Sequence, residues 1–280
     1  MKLESSRSAL SFFRLGALLA AGAALAVLCA GPANGQEKRT VFTESNFHWQ
    51  ANLKSGQTLE IINRNGQIEA SNAGGGAAQV EGVKKSTGGE DQLFVEVVEY
   101  PDGVTICAVY AKEATEGRCH RGGVSETWSH SDHHAKLDFS VQVPKGVRLN
   151  LKTSNGNIHA RGLESVVDAA TTNGEVEVST SEWAAAKSTN GGVRVSMGNA
   201  KWTGELELAT TNGSVSLTLP ATAEFTLRAS TTNGGLHTDF PVTASGNISS
   251  KSVSGTVGAG GRDLRLATTN GGIELRTGKS

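Results

Sequence analysis

The chain has 280 residues, of which 35 are glycine and only 5% are aromatic, so a conventional core of large aromatic rings is not expected. Its formal net charge is −1, and because no basic excess is present to attract phosphate groups, we exclude nucleic acid as a partner. The length allows one large domain or two ordinary ones. Since no linker separates two halves, we expect one domain after the N-terminal segment.

Residues 1–33 have the pattern of a secretory signal peptide. Lys2, Arg7 and Arg14 give a positively charged start, and an apolar run over 15–30 leads to small residues that suit a signal peptidase. The apolar run is shorter than a typical membrane-spanning helix, so membrane contact is expected only if this segment remains uncleaved. We therefore predict an extracytoplasmic protein, whether periplasmic, exposed on the cell surface or secreted.

The chain after the signal segment divides into a short lead-in and a repeat domain. Residues 34–56 are the predicted mature N-terminal lead-in, and residues 57–276 are predicted to form a single domain of β-strand repeats. Its early strands include a hairpin over 94–110, turned by Pro-Asp-Gly. A polar insertion that bears cysteine and histidine interrupts the strands at 111–135.

Two cysteines, Cys107 and Cys119, remain once the signal segment is removed. An even pair in an exported chain predicts a disulfide, because the compartment outside the cytoplasm is oxidising. The bond would close a short loop and contribute about 2–3 kcal/mol to stability.

The insertion also holds the densest group of metal-binding side chains: His130, Asp132, His133 and His134, with His120 upstream. Imidazoles and a carboxylate at such short spacing suit zinc, nickel or copper. The spacing matches no recognised metal motif, and we favour the alternative, a solvated polar loop. We accordingly expect no resident metal and no cofactor.

The dipeptide Asn-Gly occurs once in the leader region and then recurs along the rest of the chain from Asn65 onward. From Asn155 onward the intervals between copies are 18, 17, 22, 21 and 37 residues. The phrase LELATTNGSVSL at 206–217 returns 58 residues later as LRLATTNGGIEL at 264–275. We interpret this distance as three turns of about 19 residues, with one degenerate copy within 244–255. The predicted corner residues are Asn155, Gly156, Asn173, Gly174, Asn190, Gly191, Asn212, Gly213, Asn233, Gly234, Asn270 and Gly271.

Apolar and polar residues alternate on both sides of each Asn-Gly, as they do in half-buried strands. The parity changes across the dipeptide, so Leu208 and Leu217 share one face if Asn212 and Gly213 form a bend, which both residues suit because they tolerate positive φ. Two architectures satisfy this pattern: an antiparallel β-meander, or a solenoid whose equivalent strands stack in parallel about 4.8 Å apart. Near-identical repeats favour the solenoid, because it stacks like on like and lets asparagine amides bond from turn to turn.

The strands that end in T-x-N-G-x-[IV], with the phrases VQVPKGVRLNLKTSNGNIHARG (141–162) and LEIINRNGQIEA (59–70), resemble a bacterial family of adhesin-like β-strand repeats known as toast-rack domains. The resemblance covers about residues 57–276. It implies an all-β fold, a right-handed β-solenoid of β-helix-like form with stacked Asn-Gly corners, outside the cytoplasm. The family supplies no catalytic residues, and the insertion at 111–135 departs from its plain repeats.

The outward positions of the strands carry scattered charges of both signs, which we expect mainly to keep the protein soluble. Parallel β-helices also include polysaccharide lyases and hydrolases, in which such charges converge on one open face. The sequence does not exclude this convergence. The charges concerned are Glu175, Glu177, Arg194, Glu207, Arg265, Glu274 and Arg276.

Doubled threonines and scarce tryptophans are two further surface signals. A pair such as Thr210-Thr211 points one hydroxyl inward and one outward, so we expect it to stabilise the stack rather than to form a flat binding array. The unequal intervals are also expected to disturb the register of such an array. Trp128, Trp183 and Trp202 are either exposed contacts for sugars and proteins or plugs of the core.

These observations favour an exported, non-enzymatic β-repeat scaffold: an adhesin or an interaction protein of the cell envelope. Its expected partner is an unidentified protein or glycan of the envelope or exterior, and uncapped sheet ends would allow end-to-end self-association. One alternative is a carbohydrate-active enzyme on the same scaffold, a polysaccharide lyase or hydrolase. Another is a structural or stress-sensing component of the envelope.

Overall fold

The computed structural model describes residues 37–85, 92–111, 115–125, 135–245 and 249–278. Within these ranges the protein is all β and contains no helix, as expected. The predicted signal peptide lies outside the described residues.

The described residues form 24 strands. In chain order they are β1 (Lys38–Phe42), β2 (Asn46–Ala51), β3 (Thr58–Ile62), β4 (Ile68–Asn72), β5 (Ala78–Lys85), β6 (Gln92–Tyr100), β7 (Gly103–Ala111), β8 (Cys119–His120), β9 (Gly123–Val124), β10 (Lys136–Val143), β11 (Arg148–Asn155), β12 (Ile158–Leu163), β13 (Val167–Asn173), β14 (Val176–Thr180), β15 (Ala184–Asn190), β16 (Val193–Met197), β17 (Glu205–Asn212), β18 (Val215–Pro220), β19 (Phe225–Asn233), β20 (Leu236–Thr238), β21 (Val242–Ala244), β22 (Ser252–Val257), β23 (Asp263–Asn270) and β24 (Ile273–Gly278).

Two large sheets enclose the core. Sheet A has 12 strands in the order β1-β6-β7-β3-β11-β13-β15-β17-β23-β19-β22-β21, and sheet B has 10 in the order β2-β5-β10-β4-β12-β14-β16-β18-β24-β20. Each repeat is a rung: one strand in sheet A, an Asn-Gly corner and one strand in sheet B. Equivalent strands of neighbouring rungs pair in parallel. The parallel pairing confirms the β-solenoid and excludes an antiparallel meander for the repeats.

The alternating apolar residues face the space between the sheets, as the parity argument predicts. Leu206, Leu208 and Thr210 before the corner and Val215 and Leu217 after it are all buried. A fully buried valine or leucine contributes about 1.5–3 kcal/mol relative to an exposed one. Repetition of this pattern in each rung builds one continuous core without a need for many aromatic rings.

The rungs do not stack in chain order. β23 pairs with β17 from Leu206↔Leu264 to Asn212↔Asn270, and its other edge pairs with β19. The final rung, β23–β24, therefore lies between β17–β18 and β19–β20, and the two nearly identical phrases lie directly on each other. The interpretation of 58 residues as three turns is wrong. Residues 244–255 are not a degenerate turn either, since β22 pairs antiparallel with β19.

Antiparallel strands lie at both ends of sheet A and at one end of sheet B, whose other end is the parallel strand β20. At one end β7 and β10 lie outside β3 and β4, and β6, β1, β5 and β2 add antiparallel neighbours. The predicted lead-in thus supplies edge strands β1 and β2. At the other end the edge strands β20 and β21 have only three residues each. Short edges are one means by which natural sheets avoid pairing with other chains. End-to-end self-association stays a prediction.

The side-chain amides of the corner asparagines form one continuous ladder. In each step Nδ2 of one asparagine donates to Oδ1 of the asparagine before it in the stack, over 2.7–2.8 Å. The ladder confirms the stacked corners and follows the spatial order of the rungs. Its members in that order are Asn65, Asn155, Asn173, Asn190, Asn212, Asn270 and Asn233.

A second row of hydrogen bonds runs inside the corners. The hydroxyl of Thr171 donates to the carbonyl oxygen of Gly156 over 3.0 Å, and a serine or threonine hydroxyl does the same in five other corners. The N–H of Gly156 meanwhile donates to the carbonyl oxygen of Asn173 over 2.9 Å. The inward member of each doubled threonine therefore satisfies a corner carbonyl that has little access to water.

Close approach of neighbouring rungs, more than a left-handed backbone, explains the corner glycines. Gly191 has a φ of +154°, almost extended, but a Cβ on it would collide with the backbone carbonyl of Gly174. A Cβ on Gly156 would collide with the carbonyl of Gly66, although the φ of Gly156 is not in the left-handed region. The expected reason, tolerance of positive φ, is therefore secondary to the lack of space for any side chain.

The unequal repeat intervals leave the corners in register. The extra residues lie at the opposite edge of the solenoid, where sheet B returns to sheet A, for example at 198–204 between β16 and β17. Asn190 and Asn212, which are 22 residues apart, remain aligned Cα partners. The expectation that unequal intervals disturb the register along the corners is therefore wrong.

Tyr110 closes the ladder at the Asn65 end. Its hydroxyl hydrogen-bonds with Asn65 and donates to the carbonyl oxygen of Ala135 over 3.2 Å. Burial raises the pKa of the Tyr110 phenol from 10.0 to about 12.

Replacement of Gly191 by alanine tests the close approach at the corners. We expect the variant to lose about 3 kcal/mol of unfolding free energy, because a carbonyl group must move to admit the new methyl group. Gly192→Ala is the matched control: the nearest atom to its Cβ is the carbonyl oxygen of Ser214 at 3.6 Å, an ordinary contact. Urea unfolding followed by circular dichroism measures both, and equal losses would contradict the steric explanation.

The raised pKa of Tyr110 predicts a loss of stability in strong alkali. Between pH 10 and about 12 the phenol ionises in the unfolded chain but stays protonated in the native one, so the unfolded state binds fewer protons and stability falls as pH rises. Ultraviolet titration of tyrosinate in the native protein should show a late step that Tyr110→Phe removes. If both tyrosines of the unsubstituted protein titrated near pH 10, the prediction would be contradicted.

Candidate interaction site

The outer face of sheet B carries an open groove of about 560 Å³ across β14, β16, β18 and β24. Small hydroxyl side chains form its floor, because Ser179, Ser196 and Thr218 are aligned in register on three neighbouring strands. Gly192 at the corner side adds no side chain. The groove is thus a consequence of small outward residues between larger ones. Its charged lining residues are Glu177, Arg194, Glu274 and Arg276.

The charges around the groove form close ion pairs. Arg161 holds Glu177 with two hydrogen bonds of 2.6 and 3.2 Å, and this pairing lowers the pKa of the Glu177 carboxyl. Arg276 donates to Glu274 over 2.6 Å. Ion pairs this exposed contribute about 0–1 kcal/mol to stability. Their main effect is to surround the hydroxyl floor with fixed donors and acceptors.

The ion pairs of the groove also affect whether its carboxyl groups could act as catalytic acids. A glycosidase needs one carboxylic acid with a raised pKa that can donate a proton at neutral pH. The pKa of Glu177 moves in the opposite direction, and Glu274 accepts a hydrogen bond from an arginine. The geometry therefore supports hydrogen bonding to a polar ligand better than acid catalysis.

The predicted outward charges of sheet A are paired across neighbouring strands. Glu207 lies between Lys187 and Arg265, with its carboxylate oxygens 2.5 and 3.4 Å from their nitrogens. Arg194, on sheet B, similarly donates to Glu175 over 2.8 Å. Alternating signs in adjacent rungs thus make ladders of ion pairs rather than a convergent acidic cluster.

The tryptophans do not form an aromatic platform among the described residues. Trp202 is 1% exposed, donates its indole N–H to the carbonyl oxygen of Asp263 over 3.0 Å and contacts the ring of Phe225. It therefore plugs the core, the second of the two interpretations. Trp183 is half-buried and packs against the same core. Trp128 lies outside the described residues.

The outward threonines form a single exposed row beside the asparagine ladder, as the parity of the pairs predicts. They alternate along the chain with the buried threonines that bond to the corner carbonyls. The exposed row comprises Thr172, Thr189, Thr211, Thr269 and Thr232.

Residues 115–125 of the insertion pack against the outer face of sheet A. A disulfide joins Cys107 in β7 to Cys119 in the two-residue strand β8, with their Cα atoms 5.7 Å apart. Residues 115–125, which we call the flap, cover a second apolar cluster that includes Phe94 and Val98. The part of the insertion near the disulfide is therefore a packed element rather than a solvated loop.

A fully buried carboxylate, Glu96, holds the flap in place. Its oxygens accept hydrogen bonds from the consecutive backbone N–H groups of Gly117, Arg118 and Cys119, over 2.7–3.0 Å. Arg39 donates to the same carboxylate over 3.0 Å. A buried charge needs such complete pairing to offset its desolvation. Sequence analysis missed this role, although a glutamate inside the apolar run FVEVV is a signal for it.

A second carboxylate, Glu60, fastens the other side of the flap. It accepts hydrogen bonds from the backbone N–H of Gly122, the hydroxyl of Thr105 and the ammonium group of Lys152, over 3.0–3.1 Å. The guanidinium group of Arg121 lies 4.1 Å from the ring centroid of Tyr100. Two buried acids and a disulfide thus fix this element to the sheet.

The structure gives no geometry for the candidate metal site. His130, Asp132, His133 and His134 lie outside the described residues. His120 is described; it is exposed, and its Nδ1 lies 3.1 Å from the carbonyl oxygen of Arg121. Among the described residues no three potential metal ligands come together. The described part of the chain also has no helix long and apolar enough to cross a bilayer.

Comparison with known proteins identifies a family. A family model described as Toastrack DUF4097 matches residues 57–276. The chain is similar to a crystal structure from Clostridium sporogenes described as a "putative cell adhesion protein", with 10% identity, 87% of this chain and 100% of that chain covered, and a TM-score of 0.42. A "putative adhesin" from Bacteroides fragilis has 11% identity, coverage of 83% and 96%, and a TM-score of 0.32. No curated protein matches the chain.

Substitution of Glu96 by glutamine tests the anchor of the flap. We expect a loss of about 3 kcal/mol in unfolding free energy, since an amide nitrogen would face donors that now bond to a carboxylate. Glu99→Gln is the matched control on the same strand. Because Glu99 makes only a 3.8 Å ion pair with Lys38, this substitution should lower the unfolding free energy by less than about 1 kcal/mol. Calorimetry measures both; similar losses would show that Glu96 is not the anchor.

Proposed function

The chain belongs to the Toastrack DUF4097 family, and on this premise we propose that it is an exported, non-enzymatic scaffold that binds a polar glycan of the cell envelope or exterior. The observation that carries the proposal is the groove of sheet B, with its floor of hydroxyl groups and its rim of paired charges. A rigid stack of rungs holds these groups at fixed spacing, so the binding surface needs little ordering when a ligand arrives.

The lining of the groove favours a glycan over a protein. Protein interfaces depend on buried aromatic, arginine or aliphatic anchors in apolar pockets. Val83 is the one large hydrophobic residue that is exposed among the described residues, and it does not line the groove. A hydroxyl-rich ligand instead matches Ser179, Ser196 and Thr218, which offer both donors and acceptors.

The chemistry of the flap supports a location outside the cytoplasm. A buried disulfide between Cys107 and Cys119 is stable in an oxidising compartment and rare in the cytosol. It agrees with the signal peptide predicted for residues 1–33. Residence in the periplasm, on the cell surface or in the medium is consistent with both observations.

A bulky substitution on the floor of the groove tests the function. The full mature chain is applied to an array of neutral and acidic oligosaccharides, and we expect selective binding that Ser196→Trp weakens at least about tenfold, or 1.4 kcal/mol. Ser230→Trp is the matched control, since Ser230 is equally exposed but lies on sheet A. Absence of glycan binding, or equal loss in both variants, would overturn the proposal.

Incubation with the bound oligosaccharides separates binding from catalysis. We expect mass spectrometry to find every ligand intact, because both carboxyl groups that line the groove, those of Glu177 and Glu274, are paired with arginines. Release of shorter fragments, suppressed by Glu274→Gln, would instead establish a carbohydrate-active enzyme.

A further inference from the structure

The chemistry of the Asn-Gly dipeptide makes every corner of the solenoid a potential site of spontaneous deamidation. In this reaction the backbone nitrogen of the glycine attacks Cγ of the asparagine. A C–N bond forms, the Cγ–Nδ2 bond breaks, and ammonia leaves with the proton of the glycine N–H. Water then opens the cyclic imide at either carbonyl to give aspartate or isoaspartate. Glycine promotes the attack because it has no side chain to hinder it.

The stack protects six of the seven corners from this reaction. In each of them the glycine N–H, which is the attacking group, donates to the carbonyl oxygen of the asparagine in the next rung over 2.9–3.0 Å. Each of these asparagines also has its Oδ1 occupied by an amide N–H of the neighbouring asparagine. Attack would require the corner to break two hydrogen bonds and leave the stack. The protected corners begin at Asn65, Asn155, Asn173, Asn190, Asn212 and Asn270.

The seventh corner, Asn233-Gly234, lacks both protections, since it is the last in the stack. The amide of Asn233 donates to Oδ1 of Asn270 over 2.8 Å, but no rung follows to occupy its own Oδ1. Among the described residues, the N–H of Gly234 has no hydrogen-bond acceptor. Gly234 is also exposed, whereas the equivalent Gly213 and Gly271 are half-buried.

We propose that Asn233 is a specific site of spontaneous deamidation, which converts the terminal corner to aspartate or isoaspartate as the folded protein ages. The product loses the amide donor that now bonds to Asn270, and a carboxylate oxygen faces the oxygen it formerly bonded. Isoaspartate also lengthens the backbone between β19 and β20. The modification therefore loosens the outermost rung and leaves the inner rungs intact.

Peptide mapping of the full folded chain after incubation at mildly alkaline pH tests this proposal. We expect the peptide with Asn233 to gain the mass of deamidation at least about tenfold faster than those with Asn173, Asn190 or Asn212, since the fold protects the latter. In urea all the sites should react at similar rates. Reaction at Asn233 as slow as at the inner corners, or an inner corner as fast as Asn233, would overturn the proposal.

Two variants provide a second readout. Both variants also carry Asn34→Gln, so that the Asn-Gly of the N-terminal segment does not contribute. In Asn233→Gln the acidic species that accumulate in isoelectric focusing of the aged protein should disappear. In Asn190→Gln, an inner corner, they should persist, because the reactive corner is untouched. Persistence of the acidic species in Asn233→Gln would place the modification elsewhere and contradict the inference.

Discussion

Close contact between successive Asn-Gly corners is the constraint on which the structure depends. Strands of neighbouring rungs are held at the spacing of a β-ladder, about 4.8 Å, and the chain must turn between the sheets within that spacing. Only glycine leaves room there, since a Cβ on Gly191 or Gly213 would meet the carbonyl of the preceding corner. The asparagine before it uses its amide to bond both neighbours. The threonine two residues before the asparagine satisfies a corner carbonyl. The same close contact therefore explains the threonine, the asparagine and the glycine of the repeat.

The same constraint explains why the spatial order of the rungs can differ from their order in the chain. A corner fits any other corner, so chain order is not fixed by the corners themselves. Residues 206–217 and 264–275 are nearly identical, and their strands pair along their whole length. Rung β23–β24, which follows both of its neighbours in the chain, therefore lies between them in space. Contacts of such long sequence separation slow folding, because loop closure precedes the gain from pairing.

Local, periodic features of the fold could be predicted from the sequence, whereas contacts set by distant strands could not. The corner at Asn212 and the shared face of Leu208 and Leu217 follow from spacing and parity alone. The place of β23 does not, because the phrase LATTNG pairs equally well with several copies. The groove depends on the register of four strands, β14, β16, β18 and β24. Glu96 shows its role only when the flap is folded over it.

The inward and outward positions of each strand therefore have different roles. Inward positions are restricted to residues that fill the core or bond the corners, so they repeat from rung to rung. Outward positions away from the flap meet only water and their neighbours, so serine, arginine and glutamate alternate there without cost to the fold. Under the proposed function, specificity for a glycan would arise from the outward residues, and Ser179, Ser196 and Thr218 are three small ones that align. A scaffold of this kind can acquire a new ligand by changing its outer face while every corner stays the same.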